Sequence, residues 1–280
     1  MTDLKALRAD FIKTLNSYYD KEEIINFFSW LAEDILELKT HQLLLNKEVN
    51  LDENKLAKFK SATERLQRQE PIQHILGYTE FFGLKIKVDS SVLIPRPETE
   101  ELVQWVIDDY SAKNHQFSLI DLGTGSGCIP IALARQLPQA KIKALDVSKE
   151  ALSLAAINSK ENNVEIELIE EDILELEYLQ EVDVLVSNPP YVKYDEQEGM
   201  SNNVLKNEPH VALFVYDDDP LVFYRKIAEL SLKQKKRPVI YVEVSQYLAN
   251  ETRDLFINYG FDQVELRKDF RGNDRMLKAY

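Results

Sequence analysis

The sequence predicts an α/β protein: a mostly parallel sheet with flanking helices, preceded by a small helical N-terminal domain and a β-hairpin linker. Three observations predict it. From Phe117 onward, short apolar runs alternate with helical patterns, as in a parallel sheet joined by crossover helices. Before residue 70 the apolar spacing is helical. Between the first apolar run and the helix that follows it, three of the chain's eight glycines crowd into D-L-G-T-G-S-G.

The elements follow in order. L-K-A-L-R-A-D-F-I-K-T-L suits an amphipathic helix. Asp20 precedes K-E-E, so an Asp N-cap with Glu23 three residues on starts a second, longer helix. A third runs from about Asp52 to Gln69 and stops near Pro71. Residues 1–72 therefore form a helical domain, expected to recognise the substrate because it holds no catalytic constellation. From Gln73, H-I-L-G-Y-T-E-F-F and L-K-I-K-V-D flank Gly83 and predict the hairpin linker, residues 73–92. Residues 93–280 open on the extended I-P-R-P, then a helix with Glu98, Glu100 and Glu101 in its first turn. Strands are expected at F-S-L-I-D-L, K-I-K-A-L-D, V-E-I-E-L-I, V-D-V-L-V-S, P-V-I-Y-V-E-V, F-D-Q-V-E-L-R and R-M-L-K-A-Y. Val192 to Leu221 carries little regular signal, and a loop of that length in a compact domain is usually functional or mobile.

Composition narrows the function. With 34 basic and 48 acidic residues the net charge is −14, which opposes binding nucleic acid through its phosphates. No apolar run is long enough to span a membrane, and the N-terminus lacks a signal peptide's apolar centre, so a cytoplasmic protein is expected. The single Cys128 cannot form an internal disulfide. It starts the helix after the glycine loop, where a thiolate is favoured, but helix packing is the commoner role of a lone cysteine.

Chemistry concentrates at the strand ends. Gly123, Gly125 and Gly127 allow a tight turn and close approach of a ligand. The spacing is G-x-G-x-G and lacks the Lys-Ser/Thr of a phosphate-binding P-loop. The next strand ends in Asp146, well placed to accept from two ribose hydroxyls, although it could instead cap the following helix in competition with Ser148. The third ends in E-E-D, where Asp172 could accept from an adenine amino group or simply belong to a solvated acidic turn. Together these describe an adenosine-type cofactor site.

The fourth strand end is S-N-P-P-Y, residues 187–191. Two prolines stop the backbone ladder, which is reason enough for them at a strand's end. They also leave the Asn188 side-chain oxygen and the Pro189 carbonyl as fixed acceptors. A planar NH₂ group, in an amide or a nucleobase, is a poor nucleophile because its lone pair is delocalised. Acceptors on both its hydrogens hold the nitrogen and stabilise the positive charge that grows as it attacks. Tyr191 can pack on the planar group. No histidine or metal is required, and the four histidines are scattered.

D-L-G-T-G-S-G with S-N-P-P-Y resembles class I S-adenosylmethionine-dependent methyltransferases that modify planar nitrogens. G-Y-T-E-F-F-G-L-K-I-K-V-D-S-S-V-L-I-P-R-P-E-T-E-E-L-V, E-P-H-V-A-L-F at 208–214 and the closing R-G-N-D-R-M more specifically resemble the release factor glutamine N5-methyltransferases, the HemK/PrmC family. The resemblance spans essentially the whole chain and implies a seven-stranded Rossmann-like methyltransferase domain. It implies transfer of a methyl group from S-adenosyl-L-methionine, leaving S-adenosyl-L-homocysteine, to the glutamine side-chain amide of the Gly-Gly-Gln motif in peptide chain release factors, in support of translation termination. Gly123, Thr124, Gly125, Gly127, Asp146, Asp172 and Asn188 would then border the cofactor. Asn188, Pro189 and Tyr191 would serve catalysis. Those three with Pro190, Pro95 and Arg96 would face the substrate. No metal, no stable nucleic-acid partner and no membrane are implied, and a monomer is expected. Two segments depart from the family pattern: V-Y-D-D-D-P-L where glycines are common, and Glu243-Val-Ser245-Gln246 where E-I-G-Q is common. The alternative activity is DNA adenine-N6 methylation, since the same acceptors fit that amino group. Against it stand the acidic balance and the absence of a basic, aromatic-rich region for extruding a base. A cofactor-binding protein without turnover is a third reading, opposed by the intact Asn188 and glycine loop.

Overall fold

A computed structural model describes residues 2–44, 48–49, 52–200 and 202–280. The chain divides into two compact units, residues 1–77 with 201–207, and residues 78–200 with 208–280.

The first unit contains β1 (Thr2–Asp3), α1 (Leu4–Leu15), α2 (Lys21–Asp34), α3 (Thr40–Leu44), β2 (Glu48–Val49), α4 (Glu53–Gln67) and α5 (Ile72–Leu76). Its three long helices each start on an aspartate. Asp3 accepts from Lys5 N and Ala6 N, Asp20 from Glu23 N at 2.8 Å, and Asp52 from Lys55 N at 2.7 Å. Each carboxylate satisfies an amide the helix leaves unpaired, and its charge suits the positive end of the helix dipole. Phe11, Phe28 and Phe59 meet at the centre, with ring centroids 5.5–5.7 Å apart. The Tyr19 hydroxyl donates to Leu66 O, tying the turn after α1 to the end of α4. Residues 73–76, read above as the beginning of the hairpin, are helical instead. Pro71 supplies the N-cap of α5, and Gly77 ends it in a left-handed conformation, φ 78°. Arg65 holds Glu70 and donates to the carbonyl of His74, which fixes that turn.

The second unit begins with the hairpin β3 (Tyr78–Phe81) and β4 (Leu84–Lys87), which reverses through Phe82 and Gly83, both at positive φ. α6 (Pro97–Tyr110) starts on a proline at its first turn. Then come β5 (Phe117–Leu122), α7 (Cys128–Gln136), β6 (Ala140–Asp146), α8 (Lys149–Glu161), β7 (Glu167–Glu170) and β8 (Val184–Ser187). The span 192–221, which carries little regular signal in the sequence, holds β9 (Val192–Lys193), a 3₁₀ turn, α9 (Asn202–Asn207, part of the first unit), a second 3₁₀ turn and β10 (Phe214–Val215). β9 and β10 pair in parallel. The chain ends with α10 (Val222–Leu232), β11 (Val239–Glu243), α11 (Ala249–Asn258), β12 (Val264–Lys268) and β13 (Asp274–Ala279).

Seven strands form one sheet in the order β12-β13-β11-β8-β5-β6-β7, parallel except for β13, which runs against both neighbours. The two faces alternate residue by residue. Leu119, Val184, Val186 and Tyr241 pack on one side with α6, α7 and α8. Ile120, Leu122, Leu185, Ile240 and Val242 pack on the other with α10 and α11. Burial on both faces explains why these strands are continuously apolar. Strand order reverses beside β5, with β6 on one side and β8 on the other. Ligands bind at the carboxyl ends of such a reversal.

Gly127 shows how tightly this region packs. It caps α7 at φ 80°, and a Cβ there would lie 3.0 Å from Ala155 Cβ on α8. Gly123 has a similar φ of 75°, yet a Cβ there would meet nothing within 4 Å. Gly127→Ala should therefore lower stability by roughly 2–4 kcal/mol, the sum of a left-handed backbone and overpacking, while Gly123→Ala loses only roughly 1–2 kcal/mol. Urea midpoints at unchanged m-value measure both. Equal losses would show that the contact with Ala155 is not the reason for Gly127.

Candidate active site

The register of the sheet assembles the site. Leu122 of β5 pairs with Ser187 of β8, and Ser187 with Val242 of β11. Leu122 also pairs with Leu145 of β6, and Asp146 with Glu170 of β7. The next residues along these strands, Gly123, Asn188, Glu243 and Asp146, thus emerge at one edge. The Ser187 hydroxyl donates to Leu122 O at 2.7 Å and fastens the two central strand ends.

The glycine loop is held by β6. Gly123 N and Thr124 N both donate to Leu145 O, and Gly125 N donates to Asp146 Oδ2 at 2.8 Å. Asp146 Oδ1 takes Ser148 N, while Ser148 caps α8 by accepting from Ala151 N. Of the two residues that competed to cap α8, Ser148 takes the role, and Asp146 grips the loop. Asn158, fully buried on α8, donates to Ser126 O and Lys87 O and accepts from Lys87 N, which joins the loop to the hairpin.

A pocket of about 210 Å³ opens over these residues. Gly123, Thr124, Gly125, Asp146, Asp172 and Asn188 line it, together with Pro95, Arg96 and Pro190. Its apolar walls include Val92, Ile129, Ile173 and Phe223. Gly127 is not among the lining residues; its constraint is helix packing. Asp172 faces the pocket while Oδ1 accepts from Leu174 N. Beside it a smaller pocket of about 60 Å³ is lined by Pro189, Tyr191 and Glu243. Asn188 and Arg96 border both.

Side chains that the sequence does not single out support this wall. Glu208, 4% exposed, accepts from Ile94 N and pairs with Arg96 at 2.6 Å, clamping the I-P-R-P stretch. Thr99, on the first turn of α6, accepts from Asn188 Nδ2 at 3.2 Å and donates to Glu243 Oε2 at 2.7 Å. The Tyr191 hydroxyl donates to Glu243 Oε1 at 2.9 Å. Burial pushes the Glu243 carboxyl up, opposed by the bonds from Thr99 and Tyr191 and by the charge of Arg275. Burial and the Glu243 carboxylate together push the Tyr191 phenol up, so it remains a donor. Glu243 does leave a trace in the sequence, as a carboxylate inside the apolar run V-I-Y-V-E-V. Thr99 leaves none. The Cys128 thiol is pushed up to about 12 by burial, which outweighs its place at a helix start, so the packing role holds.

Asp121 is the outlier. It lies fully buried on β5, and neither of its carboxyl oxygens has a hydrogen-bond partner. Burial pushes its carboxyl up to about 7; the nearby Thr124 hydroxyl opposes the shift and the Asp146 charge adds to it.

A family model described as the methyltransferase small domain matches residues 103–217, and one described as the PrmC N-terminal domain matches residues 6–77. The release factor glutamine methyltransferase of Flavobacterium psychrophilum is 46% identical over 282 residues, covering 99% of this chain and 98% of its own. The chain belongs to the release factor glutamine methyltransferase family. The Bacteroides thetaiotaomicron member is 38% identical, covering 95% of this chain and 96% of its own. Among solved structures, a human methyltransferase 10 domain containing protein superposes with a TM-score of 0.51 at 24% identity, over 71% of this chain and 90% of that one. That likeness is one of fold. Among the described residues, no helix is long and apolar enough to cross a membrane.

The position of Asp121 has a pH signature. An unfolded aspartate ionises near pH 4. With the folded value raised to about 7, folding favours the protonated form. That contribution is complete below about pH 4 and is lost as pH rises through about 7. Asp121→Asn, which mimics the protonated form, should gain about 4 kcal/mol over the parent at pH 8, at about 1.4 kcal/mol for each pH unit between 4 and 7, and only about a third of that near pH 5. Urea melts at both pH values measure this. A variant equally shifted at both would contradict it.

Proposed function

We propose that this chain transfers a methyl group from S-adenosylmethionine to the side-chain amide nitrogen of the glutamine in the Gly-Gly-Gln motif of peptide chain release factors. The observation that carries the reading is the pair of pockets meeting at Asn188, one bordered by the glycine loop and Asp146, the other by Pro189 and Tyr191. The relatives matched over nearly their whole length are named release factor glutamine methyltransferases, which supports the same substrate.

The residues present fit the cofactor. Gly123 and Gly125 line the larger pocket, and the space where a Cβ would stand at each is open, so a ligand can lie against the backbone. Each Asp146 oxygen keeps a lone pair beyond its bond to Gly125 N or Ser148 N and would accept from a vicinal hydroxyl, and Asp172 would accept at the next strand end. Thr124 completes the loop's contact. When bound, the cofactor supplies an electrophilic methyl carbon on a sulfonium, a leaving group that needs no protonation.

The chain's own groups do the rest. Asn188 Oδ1 and the Pro189 carbonyl accept the two amide hydrogens and hold the nitrogen lone pair toward the larger pocket. The proline ring keeps that carbonyl in place before substrate arrives. As the C–N bond forms and the C–S bond breaks, positive charge grows on nitrogen and the two acceptors stabilise it. The charged amide nitrogen is then strongly acidic and releases its proton to water. Tyr191 and Pro190 flank the planar group, and Arg96 and Pro95 shape the entrance.

Labelled S-adenosylmethionine offered with purified release factor or with duplex DNA tests the reading. Label on the glutamine of the release factor is expected. Label on DNA alone would favour adenine methylation, and label on neither a binding protein without turnover. Asn188→Ala should bind the cofactor within about threefold of the parent and lose about 10²–10³ in kcat, the usual cost of one preorganised partner. Near-normal turnover in that variant would refute the role given to Asn188.

A further inference from the structure

The reaction above needs an acceptor on Asn188 facing the substrate, but an asparagine side chain is nearly symmetric in shape. Turned about its last bond, it would present an NH₂ donor to another NH₂ group. Something must decide which end faces the amide.

Thr99 lies between Asn188 Nδ2, 3.2 Å from its hydroxyl oxygen, and Glu243 Oε2, 2.7 Å away. Thr99 and Glu243 are both 2% exposed, so water does not compete for these bonds. A hydroxyl carries one hydrogen. Glu243 already accepts the Tyr191 hydroxyl on its other oxygen, and Arg275 adds positive charge nearby. With Tyr191 donating to one oxygen and Thr99 to the other, Glu243 is the acceptor in both bonds. Thr99 therefore spends its single hydrogen on Glu243 and has only lone pairs to offer Asn188. Asn188 must answer with Nδ2–H, which leaves Oδ1 on the opposite side of the amide. Among the described residues no donor claims that oxygen.

We propose that Thr99 and Glu243 are positioning residues that set the polarity of a hydrogen-bond chain, Asn188 to Thr99 to Glu243, and so present Asn188 Oδ1 to the substrate nitrogen. This rests on the glutamine-methyltransferase reading of the site. The inverted arrangement would require Thr99 to donate to Asn188 and turn a lone pair on the carboxylate. Losing a charge-assisted bond disfavours it by about tenfold to a hundredfold. The register supplies the last link, since Val242 pairs with Ser187 and so brings Glu243 abreast of Asn188.

Kinetics of release-factor methylation at saturating S-adenosylmethionine test the chain. Thr99→Val keeps the shape of the side chain and removes the hydroxyl; Thr99→Ser keeps the hydroxyl and removes the methyl. Valine should lower kcat about tenfold or more with KM for S-adenosylmethionine within about twofold, and serine should remain within about threefold of the parent. Glu243→Gln, whose amide can donate to Thr99 and reverse the chain, should lower kcat in the same direction. Combined with Thr99→Val it should cost little more than either change alone, because both break one chain. If valine unfolds the protein, the serine variant still decides. A serine variant as slow as valine, or a valine variant as fast as the parent, would overturn the proposal. A parent protein that methylates no release factor would instead overturn the reading on which it rests.

Discussion

Leu122, Ser187 and Val242 lie side by side on three neighbouring parallel strands, and the chemistry depends on that register. Each is the last or next-to-last residue of its strand, and each is followed by a residue of the site: Gly123, Asn188 and Glu243. A slip of one residue would invert every side chain on the slipped strand and carry Asn188 away from the loop. Close packing resists it, because Leu185 and Val186 are fully buried on opposite faces and a slip would exchange side chains of different shape between two packed layers. The hydroxyl of Ser187, bonded to Leu122 O, adds a polar latch at the point where the ladder ends. Packing of the whole sheet is thus converted into the placement of a few atoms at its edge.

Two buried carboxylates near that edge are partnered differently. Glu243 takes hydrogen bonds from Thr99 and Tyr191 and has Arg275 near, which oppose the burial that still pushes its carboxyl up. Asp121, one strand over from Asn188's own, has no such partners and is pushed toward neutrality. A paired carboxylate can fix the direction of a hydrogen-bond chain, whereas an unpaired one resists ionising. Only Glu243 is equipped to orient Asn188.

Legibility in the sequence followed the range of the cause. The glycine loop, Asp146 and Asn-Pro-Pro-Tyr each end an apolar run, and their spacing against neighbouring strands and helices is local information. The central strands β5, β8 and β11 were legible for the same reason, since burial on both faces makes them nearly continuous apolar runs. One local reading differed from the structure. Residues 73–76 are helical because Pro71 and Gly77 bracket a single turn, which competes with the alternation of the hairpin beyond it. The need for glycine at Gly127 comes from packing against Ala155, a contact to a helix in the next βα unit. Thr99 and Glu208 lie in segments that carry the family resemblance, but their roles were not legible because their partners Glu243 and Arg96 lie 144 and 112 residues away. A threonine among glutamates and a glutamate before a proline are ordinary surface patterns until the fold buries them.

The central claim is that the methyl donor and the acceptor amide meet at Asn188, held between two pockets by the strand register. A crystal structure with S-adenosylhomocysteine and a Gly-Gly-Gln peptide of a release factor tests it most directly. The account predicts the glutamine side-chain nitrogen at about 2.9 Å from both Asn188 Oδ1 and the Pro189 carbonyl, facing the cofactor sulfur, with Asn188 Nδ2 still on Thr99. A glutamine amide bound elsewhere, or Asn188 turned so that Nδ2 faces it, would contradict the account.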